Sequence, residues 1–311
     1  MNRWKGYFFI LGATFFWGVS ATIARLLFTQ QVDTLILVQM RMTLACIMLL
    51  TYFFGFKRNL LVVKTKDLYR FALLGIIGGA GSNFTYYFTI QQTNVATAIL
   101  LQYLAPLLVL AFAAVSKEEH LSGIKILSGV VSLGGCYLAV AGNDFSLVSI
   151  NKLGLLAGLA SAFCWAFTNV WLRRLLKLYS VWTCLMYAFI FASLFWIVIN
   201  PPWKIVASHF SFNMWGIFFG FSVISILIPH SLYFGGIRYL TASRAIITAT
   251  TEPIIAIVSA YFILSESLTP VQIVGAVFVL LAIALLQWKQ EPSTDVPSLE
   301  SSQAISQSLV D

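Results

Sequence analysis

Three ionisable side chains stand in apolar surroundings where their charge has nowhere obvious to go: Arg41, His230 beside Pro229, and Glu252 before Pro253. A charge facing hydrocarbon is expensive, so each must face a packed interior or a wet cavity. Glu252 could take a cation, a proton or a substrate ammonium; as a neutral acid it could instead give an interhelical hydrogen bond. Pro253 brings no amide donor and frees the carbonyl one turn back, near Ala249, as an acceptor beside the carboxyl. Thr248, four residues before Glu252, shares its face on a continuous helix. Arg41 could neutralise Glu252, hold a substrate carboxylate, or capture the carbonyls of a helix end. His230 could carry protons near neutral pH or serve as a structural donor. Tyr233 and Phe234, three and four residues on, share its face. Arg25 and Arg173 lie near helix ends, where a long side chain snorkels to water.

Aromatic residues accompany these groups at matching spacings. Asn83 is followed by Tyr86 and Tyr87 as His230 is followed by Tyr233 and Phe234. Trp17 and Trp165 fall in the middle of apolar runs, and Asn169 is four residues beyond Trp165. Gln102 and Tyr103 precede Pro106. Such rings could line a cavity and stack on apolar solutes or hold an ammonium; the alternative is helix packing with tyrosine hydroxyls bonded to neighbours. Catalysis would need a nucleophile–base pair, a His/Asp metal cluster or paired carboxylates at depth. One Glu, one Arg and one His are too few, so no catalytic residue, no metal and no cofactor is expected, and an intramembrane enzyme is a poor alternative. Cys46, Cys136, Cys164 and Cys184 lie in apolar runs without CxxC spacing and read as small buried hydrophobes. The glycines from Gly75 to Gly81 lack the Lys-Ser/Thr of a phosphate loop. Gly75/Gly79, Gly154/Gly158 and Gly216/Gly220 have the spacing of close helix packing.

The elements that must position these residues are membrane spans. Of 311 residues, 59% are hydrophobic and 10% charged, with a mean hydropathy of +0.88. A soluble domain carries about 25% charged residues; this chain has too little charge to cover its apolar side chains. Runs of about 20 apolar residues number ten: Gly6–Phe28, Asp33–Phe56, Leu68–Ile90, Asn94–Val115, Leu121–Ala141, Lys152–Arg173, Ser180–Asn200, Asn213–Gly236, Ala242–Ile263 and Leu268–Trp288. The first is too long for a signal-peptide core and is a retained span. Thr269-Pro270-Val271-Gln272 reads as a capped helix start. Residues 289–311, acidic and Ser-rich, read as a disordered tail. Ten spans put both termini on one side. With that side cytoplasmic, fifteen of the 19 Lys and Arg fall at inner ends and only Lys152 and Lys204 at outer ends, a strong inside bias. The net charge of +8 is thus spread for topology, and nothing points to nucleic acid.

Shifted by about 147 residues, the chain matches itself. Phe15-Phe16-Trp17-Gly18 falls on Phe163-Cys164-Trp165-Ala166, Tyr86-Tyr87 on Tyr233-Phe234, Ala105-Pro106 on Glu252-Pro253, and Glu119 and Leu121 on Glu266 and Leu268. Five spans per half invert the second half in the bilayer, a pattern of secondary transporters that bind near the midplane. The expected fold is all-α, ten spans in two inverted repeats, residues 6–141 and 152–288, with cytoplasmic termini.

The Phe-Trp-Gly of span one, Arg41 in span two, Glu252-Pro253 in span nine, and the paired segments Lys117-Glu118-Glu119-His120-Leu121 and Ser265-Glu266-Ser267-Leu268-Thr269 together resemble the drug/metabolite transporter superfamily, and within it the EamA family. The chain departs from the pattern at Ala105, the counterpart of Glu252, and in the Lys-Glu-Glu of its first-half loop. The resemblance implies export or exchange of small metabolites such as amino acids by alternating access without ATP. It also implies that spans one to four and six to nine frame the cavity, with five and ten peripheral. Uptake or exchange of a vitamin, sugar or nucleoside is the alternative. The expected partners are a small-molecule substrate and the bilayer, with protons a candidate coupling ion and a homodimer a candidate assembly. The expected location is a bacterial plasma membrane.

Overall fold

A computed structural model describes residues 2–29, 33–92, 95–116, 122–141, 152–264 and 269–288. The segments 117–121 and 265–268, with Glu119 and Glu266, the tail 289–311 and the side chain of Arg25 lie outside the described residues. The described chain is helical, with no strand among the described residues. In hydrocarbon only a helix or a closed barrel satisfies every backbone amide and carbonyl, so a chain with this little polarity has few other choices. The helices are α1 (Asn2–Thr29), α2 (Thr34–Phe56), α3 (Leu68–Leu73), α4 (Ser82–Gln92), α5 (Val95–Gln102), α6 (Ala105–Ser116), α7 (Gly123–Ala141) and α8 (Lys152–Leu175). There follow α9 (Val181–Ile199), α10 (Pro202–Val206), α11 (Phe212–Ser222), α12 (Ile228–Tyr239), α13 (Ala242–Ala249), α14 (Glu252–Leu264) and α15 (Pro270–Trp288). Six helical stretches among the described residues are long and apolar enough to cross a membrane, and Ala105–Ser116, Gly123–Leu138 and Pro270–Leu285 are shorter apolar helices.

Side-chain caps fix where several spans begin. Asp33 accepts from the Leu35 and Ile36 amides, Ser180 from Thr183, Ser211 from Met214 and Thr241 from Arg244. The capping box before α15 is present in both directions, Gln272 N donating to Thr269 Oγ1 at 3.3 Å and Thr269 N to Gln272 Oε1 at 2.9 Å. Between α8 and α9, the Tyr179 hydroxyl donates to Asp67 at 2.6 Å, and Arg70 lies 3.4 Å from the same carboxylate. Burial and that hydrogen bond push the Tyr179 phenol up to about 12, so the bond keeps its proton across the physiological range.

Discontinuities, which periodicity alone did not predict, fall at matching places in the two halves. The chain passes through a π-helical turn at Leu74–Gly81 before α4 and another at Val223–Leu227 before α12. A π turn adds a residue to the turn and rotates the face presented downstream. It therefore aims Asn83, Tyr86 and Tyr87 in one half and His230 in the other. Breaks follow at Tyr103-Leu104, between α5 and α6, and at Thr250-Thr251, between α13 and α14, again about 147 residues apart.

Packing is close where small residues allow it. A Cβ on Gly75 would lie 2.6 Å from the Ala188 carbonyl oxygen, one on Gly158 would overlap Leu101, and one on Gly135 would lie 2.8 Å from the Gly275 carbonyl, which is how α7 docks on α15. Gly216 and Gly220 correct the sequence reading: nothing lies within 4 Å of either Cβ position, so α11 turns this pair outward. A stripe unforeseen in the sequence joins α1 to α14. Thr14 bonds Thr251 at 2.9 Å and Thr22 bonds Ser259 at 2.7 Å. Between them a Cβ on Gly18 would meet Ile255 Cβ and the Ala256 amide at 2.8 Å. Such hydroxyl pairs contribute about 0.6–2 kcal/mol each between helices in a bilayer. The main core gathers α1, α2, α4, α8, α9 and α12 around buried Phe53, Trp196 and Tyr233. The outward faces are apolar, with Phe212 91% exposed, as lipid contact requires. The four cysteines are unbridged; Cys46, Cys136 and Cys184 are buried and Cys164 half-buried.

Candidate functional site

A cavity of about 130 Å³ opens between the halves. α1 contributes Trp17, Ser20, Ala21 and Ala24 along one face, at the spacing of successive turns. α2 adds Arg41; α4 adds Ser82, Asn83, Tyr86 and Tyr87; the end of α5 and the break after it add Gln102 and Tyr103. From the second half come Trp165 of α8, Ser225 and Ile226 of the π turn, His230 of α12 and Glu252 at the start of α14.

Glu252 reaches the cavity because the helix breaks just before it. The Tyr103 hydroxyl lies 3.0 Å from Glu252 Oε2 and 3.3 Å from the Ala249 carbonyl, the carbonyl that Pro253 deprives of its helical donor. The same break overturns the expectation for Thr248: with no continuous helix, the i−4 relation is lost. Thr248 is buried and donates to Arg244 O at 2.7 Å, away from the cavity.

Arg41 is neither paired with Glu252 nor bound to a helix end. No carboxylate of the described residues lies within 4 Å of it. Its Nη2 donates to Asn83 Oδ1 at 2.8 Å, and its guanidinium lies 5.4 Å from the centre of the Tyr87 ring. Its Nε is buried without a hydrogen-bond partner. Asn83 is itself fixed, Nδ2 donating to the Gly79 carbonyl at 2.8 Å. His230 Nδ1 lies 2.9 Å from the Ile226 carbonyl; a carbonyl only accepts, so Nδ1 carries the proton and Nε2 is an acceptor in the neutral ring.

Tyr233 and Asn169 stand one layer behind the cavity, correcting their expected place on its wall. Both are fully buried; the Tyr233 hydroxyl donates to Asn169 Oδ1 at 2.5 Å, and Asn169 Nδ2 donates to Trp165 O at 2.8 Å. The tyrosine ring stacks on Trp165 at 5.1 Å and touches Trp17 at 5.1 Å, while Trp17 meets His230 at 5.2 Å and Trp165 at 5.7 Å. The rings thus pack mainly against one another and form a floor. Beneath it, nearer the start of α1, Arg244 Nη1 donates to the Tyr7 hydroxyl at 3.1 Å. Arg173 corrects the snorkelling expectation: it donates to the Ile237 and Leu240 carbonyls at the end of α12, where a cation suits the helix terminus.

The residues that sequence reasoning missed are small or purely apolar. Ser20, Ala21, Ala24, Ser82, Ser225 and Ile226 carry no chemical signal alone. Ser82 adjoins Asn83, and Ser225 is five residues from His230, one π turn, a spacing visible only once the turn is known. Gln102 donates to Ser161 at 2.8 Å.

The sequence profile of the EamA-like transporter family matches the chain twice, over residues 4–141 and 152–288; the chain belongs to this family. It is 27% identical to the inner membrane transporter YicL of Salmonella typhimurium, over 91% of this chain and 95% of that one. It is 26% identical to the riboflavin transporter ImpX of Fusobacterium nucleatum, over 91% and 97%, and 28% identical to a transporter of Archaeoglobus fulgidus, over 69% and 76%. A solved crystal structure at 16% identity superposes with a TM-score of 0.74, covering 91% of this chain and 96% of the other, and so shares the fold. The protein is therefore a multi-pass membrane transporter.

Proposed function

We propose that the chain is a ten-span secondary carrier that exports small metabolites, amino acids foremost, by alternating access across a bacterial plasma membrane. The observation that carries this reading is one cavity, lined from both halves, that presents a guanidinium and a carboxyl without pairing them. The paired π turns and paired breaks support two five-span repeats of inverted orientation, since each half then supplies one aimed helix and one interrupted helix to a midplane site. The floor of rings and the Arg244 and Arg173 bonds close the cavity toward the start of α1. With the termini cytoplasmic, this supports a state shut to the cytoplasm. A volume of about 130 Å³ is far below the roughly 300–1,000 Å³ of pockets that take drug-sized ligands, which favours a small solute in this state. The likeness to ImpX, 26% identical over 91% of this chain, supports vitamin transport as a second reading.

Counterflow tests the proposal. Proteoliposomes loaded with one unlabelled amino acid at a time, or with riboflavin, should accumulate the same labelled compound transiently for a subset of amino acids. Accumulation of riboflavin alone would favour the second reading. Equal label entry into loaded and empty vesicles would mean a pore and would contradict a carrier.

A further inference from the structure

Among the described residues Arg41 is the only lysine or arginine on the cavity wall, and its surroundings hold it in place. One face of the guanidinium rests on Tyr87. One amine is tied to Asn83, whose amide is oriented by its own bond to Gly79. The edge bearing Nε remains buried with no acceptor. A buried polar group without a partner costs about 1–3 kcal/mol, more when charged, and native structures rarely leave one without a reason. A planar guanidinium fork matches an anion with parallel acceptor oxygens. Glu252 is not that partner in this state, since no ion pair joins the two.

We infer that Arg41 is the receptor for a carboxylate group of the transported solute, and that Asn83 is the residue that positions it. This rests on the carrier reading above and names the chemistry of its substrate. One cation suits a monoanion. A phosphate, which carries more than one charge near neutral pH, would face Glu252 across a small cavity with no second lysine or arginine among the described residues of the wall. The Tyr103–Glu252 pair stands ready for a donor on the same solute, as an ammonium would supply. A small zwitterion satisfies both ends.

Thermal unfolding of the purified protein in detergent tests this without transport. The probes are acetate, glycine and alanine, against acetamide, glycinamide and alaninamide, with sodium chloride and inorganic phosphate at equal ionic strength. At least one carboxylate should raise the midpoint of the wild type, with its amide at least tenfold weaker and chloride and phosphate without effect. Arg41→Gln should abolish the response. Asn83→Asp, nearly isosteric, should pair internally with Arg41: its unliganded midpoint should hold or rise while the carboxylate response is lost. A merely structural Asn83 would leave the response in place. Equal stabilisation by acids and amides, stabilisation by chloride or phosphate alone, an unchanged response in Arg41→Gln or Asn83→Asp, or no response to any carboxylate would each overturn the inference. Carboxylate binding by a protein that fails the counterflow test would leave Arg41 as receptor and remove the carrier reading instead.

Discussion

Glu252→Gln should lower amino-acid counterflow by tens of fold or more while the protein still folds. The carboxyl stands where α14 begins, faces the cavity, and shares the Tyr103 hydroxyl with the Ala249 carbonyl. Gln keeps the size and an oxygen for Tyr103, so packing should survive. What goes is the negative charge that would receive a substrate ammonium or a coupling proton. Truncating one side of a buried charge pair typically costs about 2–5 kcal/mol, and each 1.4 kcal/mol or so is tenfold. Labelled counterflow in proteoliposomes, with unfolding midpoints measured in parallel, checks this. Wild-type rates in the Gln variant would remove Glu252 from the site.

Ala21→Trp should stop transport almost completely by filling the cavity. Ala21 lies on the wall one turn beyond Trp17, at the edge of the Thr14–Gly18–Thr22 stripe that docks on α14. Ala21 is exposed and lines the cavity, and an indole there is large against about 130 Å³ of space. The helix contacts should persist, so a midpoint near that of the wild type with counterflow reduced to background is expected. Ala21→Ser, which adds one small polar atom, should transport normally. Unimpaired transport by the Trp variant would mean that solute passes elsewhere.

Much of the candidate cavity was legible because charge in hydrocarbon is conspicuous. Arg41, His230 and Glu252 stand out against apolar runs, and the repeat pointed to Asn83, Tyr86 and Tyr87 through the spacing around His230. The structure brings nine of the twelve singled-out residues to one cavity. Those that fell elsewhere did so for local reasons. Thr248 was placed by helical spacing across a point where the helix is broken. Tyr233 and Asn169 satisfied each other, a pairing 64 residues apart that no local pattern reveals. Arg173 found helix-end carbonyls instead of water. The π turns escaped notice because runs such as Leu74–Gly81 are apolar on every side, so hydropathy carries no phase from which an extra residue per turn could be read. The membrane class followed from composition alone, whereas the docking of α1 on α14 depended on Gly18 and two threonines whose role is set by their partners.

The most direct test of the carrier is the side from which its cavity can be reached. With the four native cysteines replaced by alanine or serine, Ala21→Cys in right-side-out and inside-out vesicles would be challenged with a membrane-impermeant thiol reagent, with and without a transported amino acid. The expected result is labelling from the outer face alone in the resting protein, protection by substrate at 4 °C, and substrate-dependent labelling from the cytoplasmic face on warming. Labelling from both faces at once, or from one face whatever the substrate or temperature, would contradict an alternately exposed site.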